Sequence, residues 1–525
     1  MLRSEALDKQ AYRPQDEDTL DSSHDVTGLE ALSGDDRAGM LSFLGLDTAE
    51  DLFEHIPPAY RLGEPLDLPA PLREWSLRRM LYQRASENVN CLDAISFLGA
   101  GVYGHHVPAA IDTIAARGEF LTAYTPYQPE MSQGLLSALN NFSTKVAAMT
   151  GLPVVTSSHY DGATALAEAC WMAVKATGRS KVAVSAALLP QYRDILNTYC
   201  WGRSVEVVEI PSCPTTGKLL PEGIASPKTC AAFVLQTPNA RGLIEDQAAL
   251  AGLAQKSGAR LIGAMHPYLP FHSGSTATRD FDIITMEGQP LGLHMFAGGA
   301  HLGILACKED LRQWTPGRLI GRVSDIYGRP AFALVYEDRE QHVARDRATS
   351  NICSNQALNA IRAGAFLSLF GAAGLTTLAR TCHANATALI HALGSIDGIL
   401  VPDPKEVFNE FVVRFETAER RIAVVDYLYK SGIFAGVTRE TCPTLDERDL
   451  LVAVTETHGP AELNQYVSAI CTVFSQEAVT VPSDIKPETA TAEITICSHG
   501  ELQPMSELAL IRRYTGYTRE TFGVA

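Results

Sequence analysis

The sequence predicts an α/β protein: a large domain whose mostly parallel sheet is sandwiched by helices, followed by a small C-terminal α/β domain. Three observations carry this expectation. From about residue 150, β-branched or apolar runs alternate with helical stretches, the pattern of strands that parallel crossovers connect. A polar, Arg-rich stretch at 337–352 then separates this alternation from a second, shorter one. Finally, 525 residues exceed the usual size of one domain and suffice for a large core.

In chain order, residues 1–27 are acidic and poor in apolar side chains, and read as a mobile arm. Residues 28–110 read as an N-terminal helical segment, with helices over Gly34–Leu44, Ala49–His55 and Leu72–Ala85 and breaks at Pro57-Pro58, Pro65 and Pro69. The large domain spans 111–350. Its strands are expected at Lys181–Leu188, Val205–Ile210, Ala231–Leu235, Arg260–Met265, Asp282–Glu287 and Leu302–Cys307. The small domain, 351–475, starts with helices Asn355–Phe370 and Gly374–Leu393. Strand Glu410–Phe415, helix Ala418–Ser431, strand Asp449–Thr455 and helix Ala461–Phe474 follow. Residues 476–500 carry several Pro, Ser and Thr and read as a linker; 501–525 hold one more amphipathic stretch.

Composition excludes several functions. A net charge of −17, from 43 basic and 60 acidic residues, opposes attraction to nucleic acid or anionic lipid. Eleven cysteines, odd in number and without a CxxC pair, suit a reducing, cytoplasmic compartment. The uncharged stretches 363–379 and 288–307 contain Ser and Thr, or glycines, Pro290 and two histidines, so neither reads as a membrane span.

Several motifs carry candidate chemistry. Gly99-Ala-Gly101-Val-Tyr-Gly104 matches GxGxxG but lacks the preceding strand and βαβ unit that a dinucleotide site requires. The pair His105-His106 has no HExxH or CxxC companion, so no metal site is expected. In the segment 124–134, Tyr124, Tyr127, Gln128 and Glu130 crowd hydrogen-bonding groups onto a proline-stiffened loop, as a site wall would. Ser158, Tyr160, Asp161 and Gly162 open an apolar helix, which suits either an anion cradle or simple N-capping. Asn239 follows a strand, as do the flexible residues Gly298, Gly299 and His301, where a ligand of an open α/β sheet would sit.

These residues resemble a known family, the glycine decarboxylase P-protein of the glycine cleavage system, in its N-terminal half or separate first subunit. The resemblance runs from about Met40 to Thr472. It rests on FLGAGVYGHHVP (97–108), YTPYQPEMSQG (124–134), YDGATALAEA (160–169), LQTPN (235–239), EGQPLGLHMFAGGAHLG (287–303), REQHVARDRATSNICSNQAL (339–358) and FNEFVVRF (408–415). It implies the pyridoxal-phosphate-dependent transferase fold of type I. It also implies an enzyme that decarboxylates glycine and passes the aminomethyl group to the lipoyl arm of a carrier H-protein.

That chemistry needs a lysine to hold pyridoxal phosphate and an acid beside the ring nitrogen, so that the ring acts as an electron sink. Gln289 stands at the lysine position and His266 at the acid position; Gly104 and Ala300 replace an expected Asp and Pro. The resemblance therefore implies a vestigial site and a lysine-bearing second subunit, in a heterodimer or α2β2 assembly. The remaining candidate residues would line a shared pocket, with Arg345 and Arg347 contacting phosphate or carboxylate groups. Gln503 to Thr515 resembles the opening of the family's second, cofactor-bearing half, as a docking helix. A non-catalytic scaffold, or an enzyme repurposed for another glycine-like amino acid, are the alternative readings.

Overall fold

The computed structural model describes residues 33–64, 66–90, 93–296, 298–352, 354–487 and 502–521. The expected acidic arm, 1–27, and residues 488–500 of the expected linker lie outside the described residues. Residues 33–93 group by themselves, apart from 94 onward. They hold α1 (Gly34–Leu44) and α2 (Glu74–Ala85). A Ser33–Asp36 capping box starts α1, and Gly45, at φ 71°, ends it. Ala49–Phe53 is a short 3-10 turn rather than the expected helix. Asp51 folds back onto the backbone of Asp47 and Thr48, and Pro57-Pro58 follow too closely for a second turn.

From residue 94 the order is β1 (Ile95–Ser96), α3 (Ala109–Ala115), α4 (Gly118–Leu121), α5 (Gln133–Thr150), β2 (Val154–Val155) and α6 (Gly162–Thr177). Next come β3 (Lys181–Ser185), α7 (Pro190–Gly202), β4 (Glu206–Ile210), β5 (Ala232–Thr237), α8 (Ala248–Ser257), β6 (Arg260–Met265), α9 (Leu269–Ser273), β7 (Ile283–Glu287) and β8 (Gly303–Cys307). Strands β2 to β8 form one seven-stranded sheet in the order β2-β8-β7-β6-β5-β3-β4. Strands β3 to β7 pair in parallel, and β8 runs antiparallel to β7. Strands β5 and β7 are buried along their whole length, as expected of parallel strands covered on both faces. The six strands expected in the large domain are therefore all present.

An exposed antiparallel hairpin, β9 (Leu319–Ser324) with β10 (Pro330–Val335), was not expected. After the short α10 (Gln341–Ala344) comes α11, Ala357–Gly394, which merges the two expected helices. Gly371 breaks its path at φ 59°, ψ −175°, between the two runs the sequence separates. This helix is long and apolar enough to cross a membrane, but 61% of its most apolar window is buried within the protein, as in a core helix.

The small domain follows with β11 (Ile399–Leu400), β12 (Glu410–Phe415), α12 (Ala418–Lys430), β13 (Ile433–Phe434), β14 (Asp449–Ala453) and α13 (Pro460–Phe474). Strands β11, β12 and β14 form an antiparallel sheet. Strand β1 pairs with β13, so residues 94–110 belong with this larger unit rather than with the N-terminal helices. The last element is α14 (Glu507–Thr521).

Candidate functional site

The parallel strands β5, β6 and β7 end together, and their carboxyl ends face the N-terminus of α6. In an open α/β sheet this is where a ligand binds. Asp161 caps α6, accepting the Thr164 N–H at 2.7 Å. The next free donor, Gly162 N–H, points at Glu287 Oε2, 3.0 Å away. Glu287 Oε1 accepts two more backbone N–H groups, from Gln289 at 2.9 Å and Leu302 at 3.2 Å. Asp161 thus N-caps α6, and the chain's own Glu287 carboxylate takes the Gly162 donor together with two loop N–H groups. Gly162 permits the close approach, because a Cβ there would run into Tyr192 and the Glu287 backbone. Burial pushes the Glu287 carboxyl up to about 7, against the pull of its three donors.

Two residues past β7, where the lysine would stand, Gln289 is 1% exposed and uses its whole amide on backbone. Its Oε1 accepts from Tyr103 N at 3.0 Å, and its Nε2 donates to Tyr103 O and Leu293 O, both at 3.0 Å. At the acid position, His266 Nδ1 accepts the Tyr268 N–H at 3.1 Å, which assigns the ring proton to Nε2. Burial holds this ring neutral, well below its ordinary pKa. A neutral imidazole cannot balance a protonated pyridine nitrogen as a carboxylate does. The cavity among Tyr103, Tyr192, His266 and Glu287 measures about 40 Å³, against the roughly 300 Å³ or more of small-molecule sites. The residues at these strand ends do not suit pyridoxal phosphate: Gln289 offers no amine, Glu287 occupies the backbone donors and the cavity is small.

The loop 99–106 is braced from the small domain. Glu410 accepts Ala100 N–H at 2.6 Å and the Tyr103 hydroxyl at 3.1 Å. A Cβ at Gly99 would run into Glu410 and Ala453, so Gly99 serves packing against the small domain. His105 Nδ1 lies 2.8 Å from Glu456 Oε2, which also accepts the Cys382 thiol at 3.3 Å; Glu456 Oε1 accepts the His106 N–H at 2.8 Å. Despite burial, His105 and these donors hold Glu456 down at about 2.

These buried groups set a pH dependence. His159 (about 3), His272 (about 4) and His266 stay neutral in the fold but protonate near 6.5 when unfolded. The unfolded chain then binds more protons, so their stability contribution is lost as pH falls below about 6.5. Glu287 and Glu410, held near 7 against 4.5 unfolded, act oppositely: their contribution is full below 4.5 and lost as pH rises through 7. His301 and His458 act with the histidines, and Glu168 and Glu245 with the glutamates. Glu410→Gln removes one group that favours the acid side and should shift the slope of stability against pH toward loss on acidification by up to about 1.4 kcal/mol per pH unit. Urea unfolding across this range measures it; an unchanged slope would contradict the assignment.

The outer candidate residues lie mostly at the surface. Tyr124 is 70% exposed and, with Ser158, Arg318 and Ser354, lines a small crevice. Tyr127 is half exposed; its hydroxyl accepts Arg318 Nη2 at 2.7 Å, and the guanidinium stacks on its ring. Arg318 in turn pairs with buried Glu340. Gln128 and Glu130 are exposed, and Tyr160 is 43% exposed. Ser158 is buried and donates to Asn355 at 2.6 Å rather than capping α6. Gly298 and Gly299, at φ 113° and 138°, lead to His301, whose Nδ1 lies 3.7 Å from Glu287. Arg345 and Arg347 are exposed, with no side-chain partner among the described residues.

Asn239 is a correction. It is 1% exposed and spent on its own turn, donating to Glu245 at 2.7 Å and accepting from Arg241 N and Leu243 N, so it lines no pocket. Sequence reasoning missed Tyr103, Glu287, Glu410 and Glu456. Of these, Glu287 stood inside a quoted motif as the last residue of an apolar strand, the position from which a side chain reaches a strand-end site.

Comparison with known proteins agrees with this geometry. The model of the glycine cleavage system P-protein family matches residues 31–470. A chain from Thermomicrobium roseum named "Probable glycine dehydrogenase (decarboxylating) subunit 1" is 39% identical over 441 residues, 83% of this chain and 98% of its own length. A chain of the same name from Methylococcus capsulatus is 38% identical over 444 residues, 83% and 97% of the two chains. The crystal structure of glycine decarboxylase (P-protein) of the glycine cleavage system, in inhibitor-bound form, superposes with a TM-score of 0.78 at 36% identity, covering 85% of this chain and 99% of that one. The sphingosine-1-phosphate lyase of Burkholderia pseudomallei, with a TM-score of 0.56 at 14% identity over 79% and 93% of the chains, shares the fold alone. By sequence and by fold, the chain belongs to the glycine cleavage system P-protein family, in the form of glycine dehydrogenase (decarboxylating) subunit 1, an oxidoreductase family.

Proposed function

We propose that this chain is the cofactor-free subunit of a two-subunit glycine decarboxylase, and that a lysine-bearing second subunit holds the pyridoxal phosphate. The carrying observation is the self-filled site: Glu287 occupies the backbone donors and Gln289 is spent on Tyr103 and Leu293. Pyridoxal phosphate held by that second subunit would supply the electron sink that glycine decarboxylation needs. The strand ends of this chain offer it neither an amine nor a carboxylate partner for the ring nitrogen.

Its contribution is the outer wall. Tyr124 and Tyr127 present exposed aromatic faces, and the Arg318–Glu340 pair fixes Tyr127 from behind. Such a wall can exclude water and orient a small amino acid in a pocket completed by the heterodimer or α2β2 partner. Arg345 and Arg347 are exposed cations available to a phosphate or carboxylate across that boundary, and Glu130 is an exposed carboxylate for the same shared site. The aminomethyl product would leave on the lipoyl arm of the carrier H-protein. A cytoplasmic setting fits the eight described cysteines, all of which are free.

The test is visible absorbance of lysine-bound pyridoxal phosphate, read on this chain alone and after mixing with a candidate second subunit. A band only in the mixture is the expected result, together with glycine-dependent CO2 exchange. A band from this chain alone would overturn the assignment.

A further inference from the structure

Residues 502–521 lie past the region matched by the family, which ends at 470. The Thermomicrobium relative is matched over 98% of its length by 83% of this chain, and the family match leaves the segment outside. It is nevertheless seated in the main core. Leu502 is 1% exposed, and Leu510 and Tyr514, one helical turn apart, are fully buried. Met505 N donates to Ser368 O at 2.9 Å, and Asn141 Nδ2 donates to Tyr514 Oη at 3.1 Å. The Phe120 ring meets Tyr514 edge-on at 6.2 Å, and Arg117 reaches Thr515 at 3.4 Å. The break in α11 makes the room: a Cβ at Gly371 would collide with Leu502 O and Pro504 N.

A body that lacks this segment has the same problem to solve. Phe120 on α4, Asn141 on α5 and Ser368 and Gly371 on α11 line a groove whose floor is apolar and whose amide donor and carbonyl are aimed outward. Leaving it empty would expose apolar core surface to water. The occupant's sequence supplies the answer. Gln503 to Thr515 resembles the opening of the family's second half, and its buried Leu510 and Tyr514 are the residues that the groove receives.

We propose that this groove is the docking site for the helix that opens the lysine-bearing half of the enzyme, and that this chain carries a copy of that helix seated in cis. In two-subunit relatives without the segment, the second subunit's N-terminal helix fills the groove in trans. The proposal rests on the two-subunit reading above, but its test involves no cofactor, so the two can fail separately.

The probe is a fluorescein-labelled synthetic peptide of residues 502–521. One receptor is the Thermomicrobium roseum subunit 1, which is matched over 98% of its length by 83% of this chain. The other is the full-length chain carrying a protease site between residues 487 and 502, nicked after folding. The expected results are saturable anisotropy on the relative, and retention of the nicked helix through gel filtration until excess peptide exchanges it. A Tyr514→Ala peptide should bind at least tenfold more weakly. A Leu508→Ala peptide, changed on the exposed outer face, should stay within about twofold. The relative's own second subunit should displace the peptide. No saturation, or equal weakening by both substitutions, would overturn the groove; binding that the second subunit does not displace would overturn the partner.

Discussion

Gln289→Ala is expected to lower stability by about 3–5 kcal/mol, a large loss for a change that removes no charge and little apolar area. The reason is what remains behind. Tyr103 N–H, Tyr103 C=O and Leu293 C=O each lose their Gln289 partner in a place that is 1% exposed. A buried group left without a partner costs about 1–3 kcal/mol. Gln289→Lys makes the complementary test, since it restores the residue type the chemistry requires. It is expected to be as destabilising as alanine, because lysine offers no acceptor to Tyr103 N–H and would bury an ammonium beside carbonyls. It should also gain no visible pyridoxal band, because Glu287 still occupies the backbone donors and the cavity of about 40 Å³ stays too small. Urea unfolding and absorbance of the same samples read both effects; a stable, yellow Gln289→Lys protein would show that lysine was the sole part lost.

The legibility of this site and fold in the sequence follows from where each partner lies along the chain. Strands β6 and β12 end where their apolar runs end, since a strand buried on both faces is nearly continuous in sequence. The β9–β10 hairpin escaped because Gly321, Arg322 and Ser324 interrupt its alternation, and its outer residues face solvent. The break of α11 at Gly371 was legible as two helices, though not as one helix bent around another segment. In the site, Gln289 and His266 stood out only because the resemblance says which residue types belong there. Their surroundings did not. Ala100 and Glu410 are 310 residues apart, and His105 and Glu456 are 351 apart. A pair of adjacent histidines with no local companion reads as packing until the small domain brings a carboxylate to it. Asn239 erred in the other direction: its position after β5 suggested a ligand, but Asn also closes turns onto its own backbone, and here that use prevails.

Arg318→Ala is expected to cost about 3–5 kcal/mol and to release the wall that holds Tyr127. Arg318 and Glu340 are 7% and 4% exposed and pair directly. Removing one partner of a buried pair strands the other charge, whereas replacing both by apolar side chains of similar size costs little. Arg318→Met with Glu340→Leu should therefore recover most of the stability lost by Arg318→Ala, a coupling that a double-mutant cycle in urea measures. It should not recover the site. The guanidinium also donates to the Tyr127 hydroxyl and stacks on its ring at 5.0 Å, and no methionine replaces that bond. The double variant should thus fold with near wild-type stability while the loop 124–131 becomes more susceptible to limited proteolysis. The complex with the lysine-bearing subunit should then lose kcat for glycine-dependent CO2 exchange by more than the single-variant stability alone explains. Wild-type exchange from the stable double variant would reduce Arg318 to a packing residue and detach Tyr127 from the shared pocket.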